Sequence, residues 1–141
     1  MNGRNENNLA RARTQFAYGN VAEWKKDWRK DALARVKGLP IQVRTQGLPV
    51  TLANLMGEDN THSRHLADLI GRWLLEKAFH KPLGEDSGPA SRSPARRLLD
   101  ACINAERSTY LAVQAEALAF LEQVKLFADA LYSSREEPDD H

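Results

Sequence analysis

The segment STYLAVQAEALAFLEQVKLFADALY, Ser108 to Tyr132, contains neither proline nor glycine and is apolar on almost every face of a helix. Its Ala, Leu, Glu, Gln and Lys content favours helix strongly. The predicted helix runs from about Arg107 to Tyr132. A helix apolar on most sides has to be covered, either centrally within a bundle or in part by a partner. Glu116, Glu122, Lys125 and Asp129 interrupt the run, and no stretch of the chain approaches the roughly 20 apolar residues of a membrane span. The other helices of the same chain are therefore the first candidates for the cover.

Those helices are readable. Leu9, Phe16, Ala17, Val21, Trp24, Trp28 and Ala32 recur at mostly helical spacing and predict one long helix over residues 9–37, ended by Gly38. Gly19 within it costs about 1 kcal/mol relative to Ala and marks either a bend or a close contact. The tripeptide Gly-Leu-Pro then occurs twice, at Gly38 and at Gly47. Proline suits the first turn of a helix, and glycine suits the residue that ends one. The two copies therefore read as two stops and two restarts around short helices at Ile41 and at Val50 to Met56. No P-loop pattern is present, and nine residues is not a repeat period. Ser63 to His80 predicts a helix with Leu66, Leu69, Ile70, Trp73 and Leu74 inward, capped by Asn60 or Thr61. Pro82 to Ala95 reads as a variable surface loop, and Arg96 to Asn104 as a short helix. Val/Ile/Thr-rich alternation is missing. The expected fold is all-α: a single domain, residues 1–141, as a bundle of about six helices framed by the first and last. Frayed ends are expected at 1–8 and 133–141.

A chain of 141 residues with 42% apolar and 28% charged content is long enough and apolar enough for one core. One cysteine, Cys102, leaves no intrachain disulfide and no zinc-finger spacing. The N-terminus lacks a signal-peptide core. A cytoplasmic protein without a membrane role is expected. The net charge of +1 conceals a gradient: +6 over residues 1–47 (ten Lys/Arg, four Asp/Glu) and −5 over residues 101–141 (three Lys/Arg, eight Asp/Glu). A basic front and an acidic back suit a polyanion at one end or end-to-end association of copies. A chance distribution over a solvated surface accounts for them equally well.

Catalytic patterns do not emerge. His62 and His65 stand near Asp59 and Asp68, short of a convergent metal set, and His80 and His141 are isolated. Cys102 reads as a small buried apolar residue, and the three tryptophans as core. No catalytic residue, metal or cofactor is expected. The cationic stretch KKDWRKDALARVK, Lys25 to Lys37, has the pattern of a phosphate-contacting surface: Lys25, Lys26, Arg29 and Lys30 span one helix sector that Lys37 rejoins. The alternative is a solvated face in which Asp27 and Asp31 pair with neighbours such as Lys30 and Arg35.

Two segments carry a resemblance. LPIQVRTQGLPVTLANLM, Leu39 to Met56, and TYLAVQAEALAFLEQVKLFADAL, Thr109 to Leu131, are similar to the corner and the closing helix of the small subunit of type III-B CRISPR effector complexes. The resemblance covers Phe16 to Leu131 with Pro82 to Ala95 as an insert. It departs at Gln123 and Leu126, where the family often carries an aromatic and a basic residue. The resemblance implies a non-catalytic helical subunit that stacks head to tail with its own copies beside larger backbone subunits. One end of the stack meets the large signalling subunit, and the stack lies along the guide RNA–target RNA duplex. It further implies RNA-backbone contact through basic residues, and together with the cationic sector this points to Lys25, Lys26, Arg29, Lys30, Lys37 and Arg44, with Arg64 as an outlying candidate. The rival expectations are a helical protein–protein adaptor with no nucleic-acid role and, third, a small nuclease using His62 or His65.

Overall fold

The computed structural model describes residues 2–80, 83 and 88–133, with only the backbone for residues 2–7. Its elements are α1 (Asn2–Ala22), α2 (Arg29–Lys37), α3 (Leu39–Gln46), α4 (Leu48–Gly57), α5 (Thr61–Gly71) with a π-helical continuation (Arg72–Ala78), α6 (Pro94–Asn104) and α7 (Arg107–Tyr132). The described residues contain no strand, and the all-α bundle expected from the periodicity is what forms. The expectations of frayed ends and of a surface loop fall partly on residues 1, 81, 82, 84–87 and 134–141, outside the described residues. Of the loop, Leu83 is buried and Gly88 to Ser93 are exposed.

α7 is the spine. Val113, Ala117, Phe120, Leu121, Val124, Ala128 and Tyr132 recur every three or four residues and form one buried stripe against α1, α2 and α3. Its excess apolar residues do not enter the core: Leu111, Leu126 and Leu131 stay on the surface.

The single helix expected over 9–37 is two. α1 ends at Ala22, and Glu23 to Trp28 turn before α2 begins. The N–H groups of Glu23 and Trp24 fall back on the carbonyls of Asn20 and Val21, both at 3.1 Å, the tight bonding of a helix end. The Asn20 side-chain amide also donates to the Phe16 carbonyl at 2.9 Å, a local competitor for helix hydrogen bonding. The Tyr132 hydroxyl donates to the Val21 carbonyl at 2.6 Å, so the last residue of α7 satisfies the end of α1. Trp24 and Trp28 keep their apolar role across the break, which is why the spacing ran on unbroken.

The Gly-Leu-Pro corner folds as its punctuation implied. Pro40 and Pro49 stand in the first turns of α3 and α4. Gly47 has φ +92° and ψ 160°, a conformation that excludes ordinary side chains. The Leu48 N–H and the Tyr110 hydroxyl both donate to Gln114 Oε1, at 3.0 and 2.7 Å, fastening the corner to α7. Asn60 caps α5 as expected, its side chain accepting from the Ser63 N–H at 2.8 Å. The helix expected over 63–80 changes character at Arg72. A π-turn rotates each residue less than an α-turn does, and Trp73, Leu74 and Leu75 all enter the core in succession.

Two glycines inside helices differ in kind. Gly19 is neither bend nor contact: a Cβ there would meet nothing within 4 Å. Gly71 lets α5 lie directly on the start of α6, where a Cβ would come within 2.5 Å of the Pro94 carbonyl carbon and oxygen. Gly71→Ala should lower stability by about 1–3 kcal/mol through overpacking. Gly19→Ala should raise it by up to about 1 kcal/mol. Urea midpoints at unchanged m-value check both signs.

Candidate functional site

Among the described residues the buried charged group is the carboxylate of Glu116, on the buried stripe of α7 and 6% exposed. Arg13 of α1 meets it with two parallel bonds: Nε to Oε2 at 2.6 Å and a terminal nitrogen to Oε1 at 2.7 Å. The indole N–H of Trp73 donates to Oε2 at 3.0 Å. Three donors from two other elements thus satisfy one buried anion. The Glu116 hydrogen bond raises the Arg13 pKa above its ordinary value, and burial works against it. Phe16, Trp73 and Phe120 pack around this group, with Trp73 and Phe120 stacked at 5.4 Å. Sequence reasoning missed Arg13 and Glu116. The available signal was a glutamate at a helical step between Val113 and Phe120, on the stripe that had to be buried.

The second cluster lies at the α1–α2 turn. Trp24 is buried and stacks on Tyr132 at 6.1 Å. The Arg29 guanidinium sits 4.7 Å above the centre of the Tyr132 ring. His65 of α5 packs on Trp28 at 4.6 Å and stands edge-on to Trp24 at 6.3 Å. Burial lowers the His65 pKa below 6.5; Arg72 adds to the lowering and Asp68 opposes it.

The cations expected to meet phosphate distribute around this turn. Lys25 and Lys26 lie in it, exposed, while Arg29 and Lys30 form the first turn of α2. Lys30 and Lys37, two turns apart, line one side of a groove of about 220 Å³ whose other side is Tyr132 and Ser133. Lys37 lies 3.8 Å from Asp129 of α7, and Arg44 of α3 bonds Glu122 at 3.0 Å. Arg64 bonds Asp59 at 3.0 Å and lines a different groove with Met56, Asp68 and Ser93. Lys37, Arg44 and Arg64 thus each hold a carboxylate, in pairs exposed enough to exchange it. The expected pairing of Arg35 within its own helix is replaced by a two-pronged bond to Glu58, at 3.0 and 2.7 Å. That bond lowers the Glu58 pKa, with a further contribution from Ser63 and against the effect of burial.

Among the described residues no three His, Cys, Asp or Glu side chains converge as metal ligands. Cys102 is buried, and burial pushes its thiol up to about 12. His141 lies outside the described residues. No helix among the described residues is long and apolar enough to cross a membrane. At the two positions where the resemblance departs, Gln123 accepts a hydrogen bond from the Thr14 hydroxyl at 2.8 Å, and Leu126 is 63% exposed.

An all-α bundle with a cationic turn is thus what fold and surface define, and its sequence matches a family of CRISPR-associated proteins. The family model, described as CRISPR-associated protein (Cas_Cmr5), covers residues 9–131, and the chain belongs to that family. No curated protein and no solved structure matches the chain.

Glu116→Ala should cost about 1–3 kcal/mol, because it strands the buried Trp73 N–H and takes the partner from a part-exposed Arg13. Thermal or urea unfolding against wild type measures it. His65 gives a pH prediction. Well above pH 6.5 it is neutral in both folded and unfolded chains and exerts no pH effect. As pH falls below 6.5 the unfolded chain takes up the proton first, so stability falls through the window down to the lowered folded pKa. His65→Phe keeps a ring against Trp28 and should flatten the fall of stability as pH drops below about 6.5. An unchanged slope assigns that dependence to other groups.

Proposed function

We propose that this chain is the small, non-catalytic subunit of a type III-B CRISPR RNA-guided ribonucleoprotein in antiviral defence, acting in the cytoplasm. It stacks head to tail with its own copies beside the backbone subunits. One end of the stack meets the large signalling subunit, and the stack contacts the guide–target RNA backbone without sequence preference. The observation that carries the reading is the Cas_Cmr5 match over residues 9–131. The RNA contact draws support from Lys25, Lys26, Arg29 and Lys30, four cations in six residues at one exposed turn and helix start. Helix N-termini and lysines both favour phosphate, and neither reads a base. Lys37 and Arg44 extend the contact by exchanging Asp129 and Glu122 for phosphate, and Arg64 does the same at the edge of the surface.

A protein–protein adaptor without an RNA role is the second reading, favoured by Ile41 and Leu126, each 63% exposed. One experiment separates the two. Lys25→Gln, Lys26→Gln and Lys30→Gln together leave Arg29 on Tyr132 and remove three charges. Binding of a single-stranded RNA should weaken, and the slope of log K against log salt should flatten by about 2, at about 0.7 for each phosphate no longer neutralised. An unchanged slope places the RNA contact elsewhere. Absence of RNA binding by the wild-type chain at low salt favours the adaptor.

A further inference from the structure

The groove between α2 and the end of α7 has a cationic wall, an apolar floor and a chain leaving from its rim. Lys30 and Lys37 form the wall, Leu33 and Ala34 lie between them on the same helix, and Tyr132 and Ser133 complete the lining. Ser133 has φ −60° and ψ 132°, so the backbone leaves the groove extended and not as more helix. The next eight residues read SREEPDDH, with four carboxylates and one arginine. We propose that this groove is the docking site of the chain's own acidic segment, residues 134–141, held there by Glu136, Glu137, Asp139 and Asp140, and that the docked segment competes with polyanions for the cationic turn.

Reach and charge both fit. Eight extended residues span up to about 26 Å, and Lys30 and Lys37 are only about 10 Å apart along α2. A segment tethered at the groove's rim is present there at an effective concentration on the order of millimolar, so weak individual ion pairs suffice. Asp129 lies 3.8 Å from Lys37, and the carboxylates of the segment would share that lysine with it. The surface that attracts a phosphate backbone attracts a run of carboxylates for the same Coulombic reason, and both weaken with salt.

Docking is tested on the full chain without RNA; the competition rests on the RNA-backbone reading proposed for the cationic turn. A zero-length carbodiimide joins Lys Nζ to a carboxylate only in direct contact. At low salt, peptide mapping of the monomer should show Lys30 or Lys37 joined to Glu136, Glu137, Asp139 or Asp140. Lys30→Arg with Lys37→Arg keeps the charge and should abolish the product. Absence of the product in the wild-type chain, or its occurrence only between two molecules, overturns docking in cis. For the competition, Glu136→Gln, Glu137→Gln, Asp139→Asn and Asp140→Asn together should tighten binding of a fluorescent single-stranded RNA by roughly three- to tenfold at low salt, the scale of a few exposed ion pairs. That gain should shrink at high salt and vanish when Lys30 and Lys37 are both Gln. An unchanged affinity, or a gain that survives loss of the two lysines, overturns the competition. If no RNA binds to either form, the RNA reading fails, the competition fails with it, and the cross-link still decides the docking.

Discussion

A single carboxylate holds the frame of this molecule in register. Glu116 lies on the stripe of α7 that has to be buried for the bundle to exist, yet an uncompensated charge at that depth is far too costly. The fold answers with Arg13 from α1 and the Trp73 indole from the π-helical stretch. A two-pronged guanidinium–carboxylate contact adds geometric specificity, so the pair favours this setting of α1 against α7. The stacked Trp73 and Phe120 rings and the adjacent Phe16 then fill the space this setting creates. Apolar packing alone tolerates many arrangements of Leu and Ala; the ion pair selects among them at some expense in net stability.

The outer surface inherits that register. With α1 set against α7, the Val21 carbonyl meets the Tyr132 hydroxyl, and the chain turns there. The turn carries Lys25 and Lys26 outward while Trp24 goes inward, so the cationic surface stands on an aromatic base of buried Trp24 and Tyr132 and half-buried Trp28 and His65. Arg29 belongs to both layers, its guanidinium over Tyr132 and its helix turn at the surface. The charge gradient along the sequence is also folded back on itself: Lys37 and Arg44 meet Asp129 and Glu122 from the acidic end. Part of what looked like a basic front and an acidic back is internal pairing across α2, α3 and α7.

The fold class, α7 to the residue, the Asn60 cap and the two restarts at Pro40 and Pro49 were legible in sequence, because each depends on neighbours a few positions away. What was hidden depends on distant ones. The break after Ala22 leaves the apolar period intact and is sealed by Tyr132, more than a hundred residues on. Arg13 and Glu116 look like two ordinary surface charges until the helices are brought together. Spacing offers Arg35 only Asp31, and it is the approach of the α4–α5 connection that gives it Glu58. The cationic residues were found, since charge density is local. Which of them already hold a carboxylate was not, since Asp129 and Glu122 come from the far end of the chain.

The pairings Arg13–Glu116, Thr14–Gln123 and Val21–Tyr132 span 103, 109 and 111 residues. Every one joins the first helix to the last. During synthesis the early helix therefore emerges with its aromatic face and its arginine uncovered, and it waits until the ribosome has translated nearly all of the described chain before its partner exists. α3, α4, α5 and α6 pack largely on one another and can collapse earlier, but the bundle closes only at the end. A ribosome that stalls short of Tyr132 releases a product with an open seam, which makes completeness of the chain a condition for its entry into any larger assembly.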